Sequence, residues 1–399
     1  MQFSALVDRI RGDGADAWDT HHAASAARDR GEDVIVLSIG DPPIDTPAPV
    51  VERAIERLRA GDTHYTPASG RIALREAVAR AHAQRTQQAV SADNVIALAG
   101  TQNALFVASL CVAGPGDEVI SFDPMYPTYT ATIEVSGARM VRARQSAERG
   151  FRPDLAQLAS LIGPRTRAIF LASPNNPTGV ILNEAELDGI GALARQHGLW
   201  VVADEVYAGL APQGQQPSLA SCLPEQVVSL GSLSKSHAMT GWRCGWLIGP
   251  RAFIHHAESL AMCMLFGLPG FIQDAALVAL ATGAQSERQM RDYCSSRCAF
   301  LLRALADLPG LRLCPPQAGM FMLVDVRGTG HTGREFTRAL YQSQRVSVMD
   351  GGAFGRETEG FVRISFATDE ATLLEASRRI RVFLQHGPAQ TPAPQRAAG

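Results

Sequence analysis

Lysine is nearly missing from this chain. Of its 37 lysine and arginine residues, only Lys235 is a lysine, in the stretch "SLSKSHAMTGWR". A solvated or paired surface cation can be either residue at modest cost. A cation that must give up its proton cannot be arginine, because the guanidinium stays charged at any usable pH. The composition leaves two readings: a stray lysine in an arginine-biased chain, or an amine kept for its chemistry, as a Schiff base or a general base. The residues around it decide between them.

Other absences exclude whole classes. The seven cysteines are scattered, odd in number and form no C-x-x-C, which argues against a disulfide framework and a zinc site. Cys294 and Cys298 stand four apart, on one helix face, as packing residues. The formal net charge of −2 leaves no general basic footprint for nucleic acid. The longest apolar run, "LAMCMLFGLPGFI", is broken by Gly267, Pro269 and Gly270 and is too short to span a bilayer. The first residues, "MQFSALVDRIRGDG", contain no apolar signal-peptide core, so a soluble cytoplasmic protein is expected. No G-x-G-x-x-G follows an expected strand, and "SKS" lacks the glycine before lysine that a P-loop requires. No internal repeat is evident.

The length, 399 residues, suggests two domains, or one large and one small. Residues 15–30 read as a helix. From about 95 to 250, apolar runs read as buried strands: "NVIALAG", "DEVISFD", "RAIFLAS", "LWVVADE", "QVVSLGS" and "GWLIG". Helical stretches such as "EAELDGIGALARQHG" lie between several of them, which predicts an α/β domain with a mostly parallel sheet. After about 285, a long helix leads to "MFMLVDV", "VSVMD" and "FVRISFA" and a final helix, a smaller α+β unit. The expected boundaries are an N-terminal segment, 1–45, packing with the small domain, a large domain, 46–285, and a small domain, 286–387. The Pro/Ala-rich tail, 388–399, is expected to be disordered.

In open α/β sheets, ligands bind at the carboxyl ends of the strands. After "NVIALAG" come Thr101 and Gln102, opening a helix whose amides and hydroxyl suit a phosphate. "RAIFLAS" is followed by "PNNPTG", and "LWVVA" by "DEVY", which places Asp204 at a strand end with Tyr207 one turn on. "QVVSLG" is followed by "SLSK", with Arg243 eight residues past the lysine. Each has an ordinary use: Asn and Pro in turns, Asp at a helix cap, Arg on the surface. Together they match an electron-sink cofactor carrying a phosphate, a pyridine nitrogen and an aldehyde.

The chain resembles the fold-type I, pyridoxal-phosphate-dependent aminotransferases of the aspartate aminotransferase family, class I/II. The resemblance runs from about residue 30 to 380. It rests on "SLSKSHAMTGWRCGW", "SPNNPTG", "DEVY", "GTQNAL", "PGDEVI" with "DPMYPTY", "HYTPASGRIALREA" and "FVRISFA". It implies an α/β large domain on a mostly parallel seven-stranded sheet, a smaller α+β domain and pyridoxal 5'-phosphate as cofactor. Lys235 would form the Schiff base and shuttle the proton, and Asp204 would pair with the pyridine nitrogen. Tyr207 and Asn176 would hydrogen-bond the ring oxygen, and Tyr126 would stack on the ring. Thr101, Gln102, Ser232, Ser234 and Arg243 would hold the phosphate. Tyr65 would reach the phosphate of a neighbouring subunit, implying a homodimer with shared active sites. Arg363 would clamp the substrate carboxylate, helped by Gly40 and Asn176.

The implied reaction is a ping-pong transfer of an amino group from an L-amino acid to a 2-oxo acid. "FIQDAA", "GDGADAWD", "DTHY" and the lysine stretch are most similar to arginine–pyruvate transaminases, implying L-arginine and pyruvate. A guanidinium side chain would be read by a carboxylate or an aromatic face, and the N-terminal segment offers Asp16, Trp18 and Asp19. The loop "DPPIDTP" departs from the acid and aromatic common among relatives at positions 43 and 44. Aromatic, aliphatic or acidic donors, a carbon–sulfur β-lyase and a cofactor-sensing regulator are the alternatives. The roughly 30 residues before the first match are too few for the regulator's DNA-binding module.

Overall fold

The computed structural model describes residues 1–10, 18–213 and 216–385. Its strands, in chain order, are β1 (Ile35–Val36), β2 (Val95–Leu98), β3 (Glu118–Asp123), β4 (Arg139–Arg144), β5 (Thr166–Ala172), β6 (Trp200–Asp204) and β7 (Val227–Ser232). They continue with β8 (Gly245–Ile248), β9 (Arg312–Cys314), β10 (Phe321–Asp325), β11 (Val346–Ser347), β12 (Met349–Asp350) and β13 (Phe361–Ser365).

A seven-stranded sheet in the order β2-β8-β7-β6-β5-β3-β4 forms the large domain. Only β8 runs antiparallel to its neighbours. The strands are almost continuously apolar because both faces are covered. Phe170, Val202 and Val228 face the helices Thr101–Val112 and Arg251–Met264. Their alternates Ile169, Leu171, Val201 and Ala203 face Leu155–Leu161 and Glu184–His197. The last of these helices starts in an Asn183/Glu186 capping box and stops at Gly198, whose φ of 63° is left-handed. Parallel pairing places Ala172 beside Asp204 and Asp204 beside Leu230, so three strand ends line up at one edge of the sheet.

The smaller α+β domain carries an antiparallel sheet in the order β12-β13-β10-β9. It packs on the helices Gly283–Leu305, Gly333–Gln344 and Glu370–Gln385 through Met322, Val324, Ile364, Leu301, Phe336 and Ile380. The N-terminal β1 pairs in parallel with β11.

Some expectations need correction. β4, "RMVRAR", was not among the expected strands. It is an edge strand, and its arginines make it read as polar surface. "VSVMD" is two strands in different sheets, β11 with β1 and β12 with β13. Of the helix expected over 15–30, the described part runs Asp19–Asp29, and residues 15–17 lie outside the described residues. Asp16 and the tail, 388–399, lie outside the described residues. Among those described, no helix is long and apolar enough to cross a membrane, and no cluster of side chains is arranged to hold a metal ion. All seven cysteines are free thiols.

Candidate active site

Beyond the ends of β5, β6 and β7, facing β10 and β13, lies a cavity of about 220 Å³. One end of it is built for an anion. Thr101 and Gln102 open the helix Thr101–Val112, and Ser232, Ser234 and Arg243 line the same wall. The helix has no side-chain cap, because its N-cap is Gly100 at φ 82°. A Cβ there would lie 2.4 Å from Arg243 Nη2, so glycine lets the guanidinium rest against the helix N-terminus. Arg243 itself is left-handed, at φ 53°, and Nη1 donates to the Thr240 carbonyl at 2.8 Å. Thr101 Oγ1 is buried without a hydrogen-bond partner. The Gln102 side chain is engaged away from the anion end. It accepts from Thr128 Oγ1 at 2.8 Å and donates to Thr132 Oγ1 at 3.1 Å. That leaves the backbone N–H to offer the anion end.

Asp204 ends β6 and is buried. Its Oδ2 accepts from the Tyr129 hydroxyl at 2.8 Å, and its Oδ1 from the Val206 amide at 3.1 Å. Burial still dominates and pushes the carboxyl up to about 6, against these two hydrogen bonds. A cation is the partner this carboxylate lacks. The next residue, Glu205, points elsewhere. It is ion-paired with Arg85 and accepts from Ser218 Oγ at 2.7 Å, which anchors the strand end.

Lys235 Nζ donates to the Gly40 carbonyl at 2.7 Å. Burial lowers its amine to about 8. Asp41 opposes that shift, while Arg363 and Arg243 add to it. Opposite stands Arg363, on β13, buried and sandwiched by Phe321 at 3.8 Å and Phe354 at 4.6 Å. Nη1 donates to Asn176 Oδ1 at 2.9 Å and Nη2 to the Ser38 carbonyl at 2.6 Å. Nε is buried without a partner. Neutral acceptors do not balance a buried guanidinium, and burial lowers it to about 10. An uncompensated buried charge costs about 3–5 kcal/mol, so this site favours a carboxylate.

Tyr126 and Tyr207 line the cavity, and burial raises both phenols, holding them protonated. Trp18 lines it too, and also borders a wider cleft of about 750 Å³. Residues 32–380 match the family described as aminotransferase class I and II. The chain belongs to that family. It is 46% identical over 382 residues to the arginine–pyruvate transaminase of Pseudomonas aeruginosa, covering 95% of this chain and 97% of that protein. It is 33% identical over 357 residues to an aspartate aminotransferase of Pyrococcus horikoshii, covering 89% and 91%. The solved structure of the aspartate aminotransferase from Thermus thermophilus with maleate superposes with a TM-score of 0.90. That match is at 30% identity and covers 96% of this chain and 100% of that one.

This aminotransferase cavity thus gathers most of the expected residues. Two stand apart. Tyr65 is 87% exposed and packs on Phe266, ring centroids 4.7 Å apart. Asp19 is not on the cavity wall; it is the acid in the first turn of the helix Asp19–Asp29. Tyr129 was missed, though "YPTYT" holds it three residues after Tyr126. Nothing in that pattern separates a buried partner of Asp204 from a core tyrosine. Ser38 was missed because it acts through its carbonyl, which every residue has. The donor set fits a group with a phosphate, a protonatable ring nitrogen and a carbonyl. Thr101 Oγ1 and the Gly100–Arg243 cradle suit the first, Asp204 the second and Lys235 the third.

Proposed function

We propose that this aminotransferase binds pyridoxal 5'-phosphate and moves an amino group from L-arginine to pyruvate in a ping-pong cycle. The observation that carries the chemistry is one cavity joining the chain's only lysine, a buried carboxylate and an anion-binding helix N-terminus. The donor rests on whole-length similarity to an arginine–pyruvate transaminase, 46% against 33% for the aspartate aminotransferase relative.

When bound, the cofactor supplies a carbonyl that condenses with amines and a ring that takes up the electron pair left by the departing α-proton. Asp204 would hold the proton of the ring nitrogen, and the Tyr207 hydroxyl would donate to the ring oxygen. Thr101, Ser232, Ser234, Arg243 and the Gln102 amide would hold the phosphate, with Tyr126 against the ring. Arg363 would bind the substrate carboxylate beside Asn176 and Gly40. Lys235 Nζ, with its amine lowered to about 8, is neutral often enough at mild alkaline pH to take the α-proton and return it.

Asp204 is the sole carboxylate among the described cavity walls, and its role is at the ring. A guanidinium side chain would then meet the face of Trp18, a contact worth about 0.5–2 kcal/mol. Exposed Tyr65, Phe266, Ile72 and Met262 support a homodimer in which Tyr65 enters the partner's site. We take 46–285 and 286–387 as the two domains, with 1–45 returning to the small one through β1.

Initial rates with pyruvate as acceptor, across L-arginine, L-aspartate, L-phenylalanine and L-leucine, test the reading. L-arginine should lead in kcat/KM by about tenfold or more, as one side-chain contact of about 1.4 kcal/mol would give. A higher value for another donor would overturn the arginine assignment and leave the chemistry standing.

A further inference from the structure

His21 lies on the helix Asp19–Asp29, away from the chemistry, yet it is tied to it. Its Nδ1 is 2.8 Å from Ser38 Oγ. Ser347 Oγ donates to the same oxygen at 3.1 Å, which leaves the Ser38 proton free to reach Nδ1 in the Nε2-protonated tautomer of the imidazole. Ser38 and Ser347 are both fully buried. The Ser38 carbonyl is the 2.6 Å acceptor for Arg363 Nη2. Just upstream, the Leu37 amide donates to the Ser347 carbonyl at 2.7 Å and its carbonyl accepts from Ser365 at 2.8 Å. Downstream, the Gly40 carbonyl receives Lys235. Between these two anchors, one residue carries both contacts: its carbonyl meets Arg363 and its hydroxyl meets His21.

We infer that His21 is a positioning residue for the substrate carboxylate, holding the Arg363 guanidinium in place through Ser38. The inference rests on the reading of Arg363 as the carboxylate-binding group. Trp18 strengthens the link, because it caps the same helix, lines the cavity and packs edge-on against His21 at 5.6 Å.

The imidazole must be neutral to accept from Ser38, since a protonated ring has only donors. Several charged or titratable groups face it: His22 and Arg28 on its own helix, Arg363 from β13, and Asp41 across the cleft of about 330 Å³ that His21 lines. Burial, then the three basic neighbours, lowers the imidazole from its usual value. Protonation breaks or reverses the Ser38 contact and adds a charge near Arg363. KM therefore rises as the pH falls below the ordinary imidazole range.

The experiment compares His21→Ala, His21→Asn and Arg363→Lys with wild-type holoenzyme, reading kcat and KM for donor and acceptor across pH. His21→Ala should raise both KM values about tenfold and change kcat less than twofold. His21→Asn keeps an acceptor oxygen near the place of Nδ1 and cannot titrate. It should restore KM and flatten its acid limb. His21→Ala with unchanged KM, or His21→Asn that fails to restore KM or keeps the acid limb, would overturn the inference. Should His21→Ala fail to fold by thermal melt, Ser38→Ala decides: a raised KM that adding His21→Asn does not raise further supports it, and an unchanged KM overturns it. Arg363→Lys separates the two layers. If it leaves KM unchanged, the carboxylate reading itself falls. If it raises KM while His21→Ala does not, only the role of His21 falls.

Discussion

Lys235 Nζ donates a 2.7 Å hydrogen bond to the carbonyl of Gly40, so the reactive amine and the segment leading from β1 are held together. Gly40 has no room for a side chain. A Cβ there would meet Phe321 Cζ at 2.4 Å and Met320 Sδ at 2.9 Å. Phe321 is also the ring beneath Arg363. Gly40→Ala should therefore lower stability by about 1–3 kcal/mol through overpacking. It should also raise KM for both substrates more than it lowers kcat. A melt with steady-state kinetics checks both, and an unchanged KM would contradict the coupling.

Asp204 predicts opposite signs for stability and activity. Its folded-state value of about 6 lies above the ordinary 3.8, so folding favours the protonated form. Such a group leaves the fold unpenalised below about 4 and weakens it increasingly up to about 6. The full penalty at neutral pH is of the order of 3 kcal/mol, from about 1.4 kcal/mol per pKa unit. After removal of the cofactor, Asp204→Asn should melt higher than wild type at pH 7.5, and the difference should vanish near pH 4. The same variant should lose at least 100-fold in turnover, since an amide does not hold a ring proton as a carboxylate does. A lower melt at pH 7.5 would contradict this balance.

Tyr129→Phe removes a hydrogen bond to that carboxylate without changing the ring. A hydrogen bond to a charged group is worth about 1.5–3 kcal/mol. Affinity for pyridoxal phosphate and kcat/KM should each fall about tenfold or more. Equilibrium binding monitored by absorbance gives the first, and steady-state kinetics the second.

Thr101→Val tests the anion end. The hydroxyl is buried and unpartnered in the protein alone, so replacing it with a methyl should leave the stripped protein as stable or slightly more so. Phosphate affinity should move the other way, with the cofactor bound about tenfold more weakly. Loss of stability without loss of cofactor affinity would contradict the assignment.

Much of this was legible because strands buried on both faces are mostly apolar, as β5, β6 and β7 are apart from the start of β5, Asp204, Ser229 and Ser232. Their ends then locate Asp204 and Ser232 without a structure. β4 was illegible because an edge strand can carry arginines on both faces, Arg139 on one and Arg142 and Arg144 on the other, which hides the period of two. The split of "VSVMD" was hidden because two-residue strands have no period to read. Carbonyl work by Ser38 and Gly40 leaves no mark in residue type, and the buried Tyr129 looks like any core tyrosine. The proposed role of the exposed Tyr65 depends on a second copy of the chain, which one copy does not display.

The most direct measurement is a visible absorbance spectrum of the protein with pyridoxal phosphate, followed by L-arginine with no 2-oxo acid present. The account predicts a yellow band that appears with the cofactor, is lost on adding arginine, and releases one equivalent of 2-oxo acid. It predicts no conversion by steady turnover in Lys235→Arg. A protein that takes up no cofactor and shows no band would contradict the account at its centre.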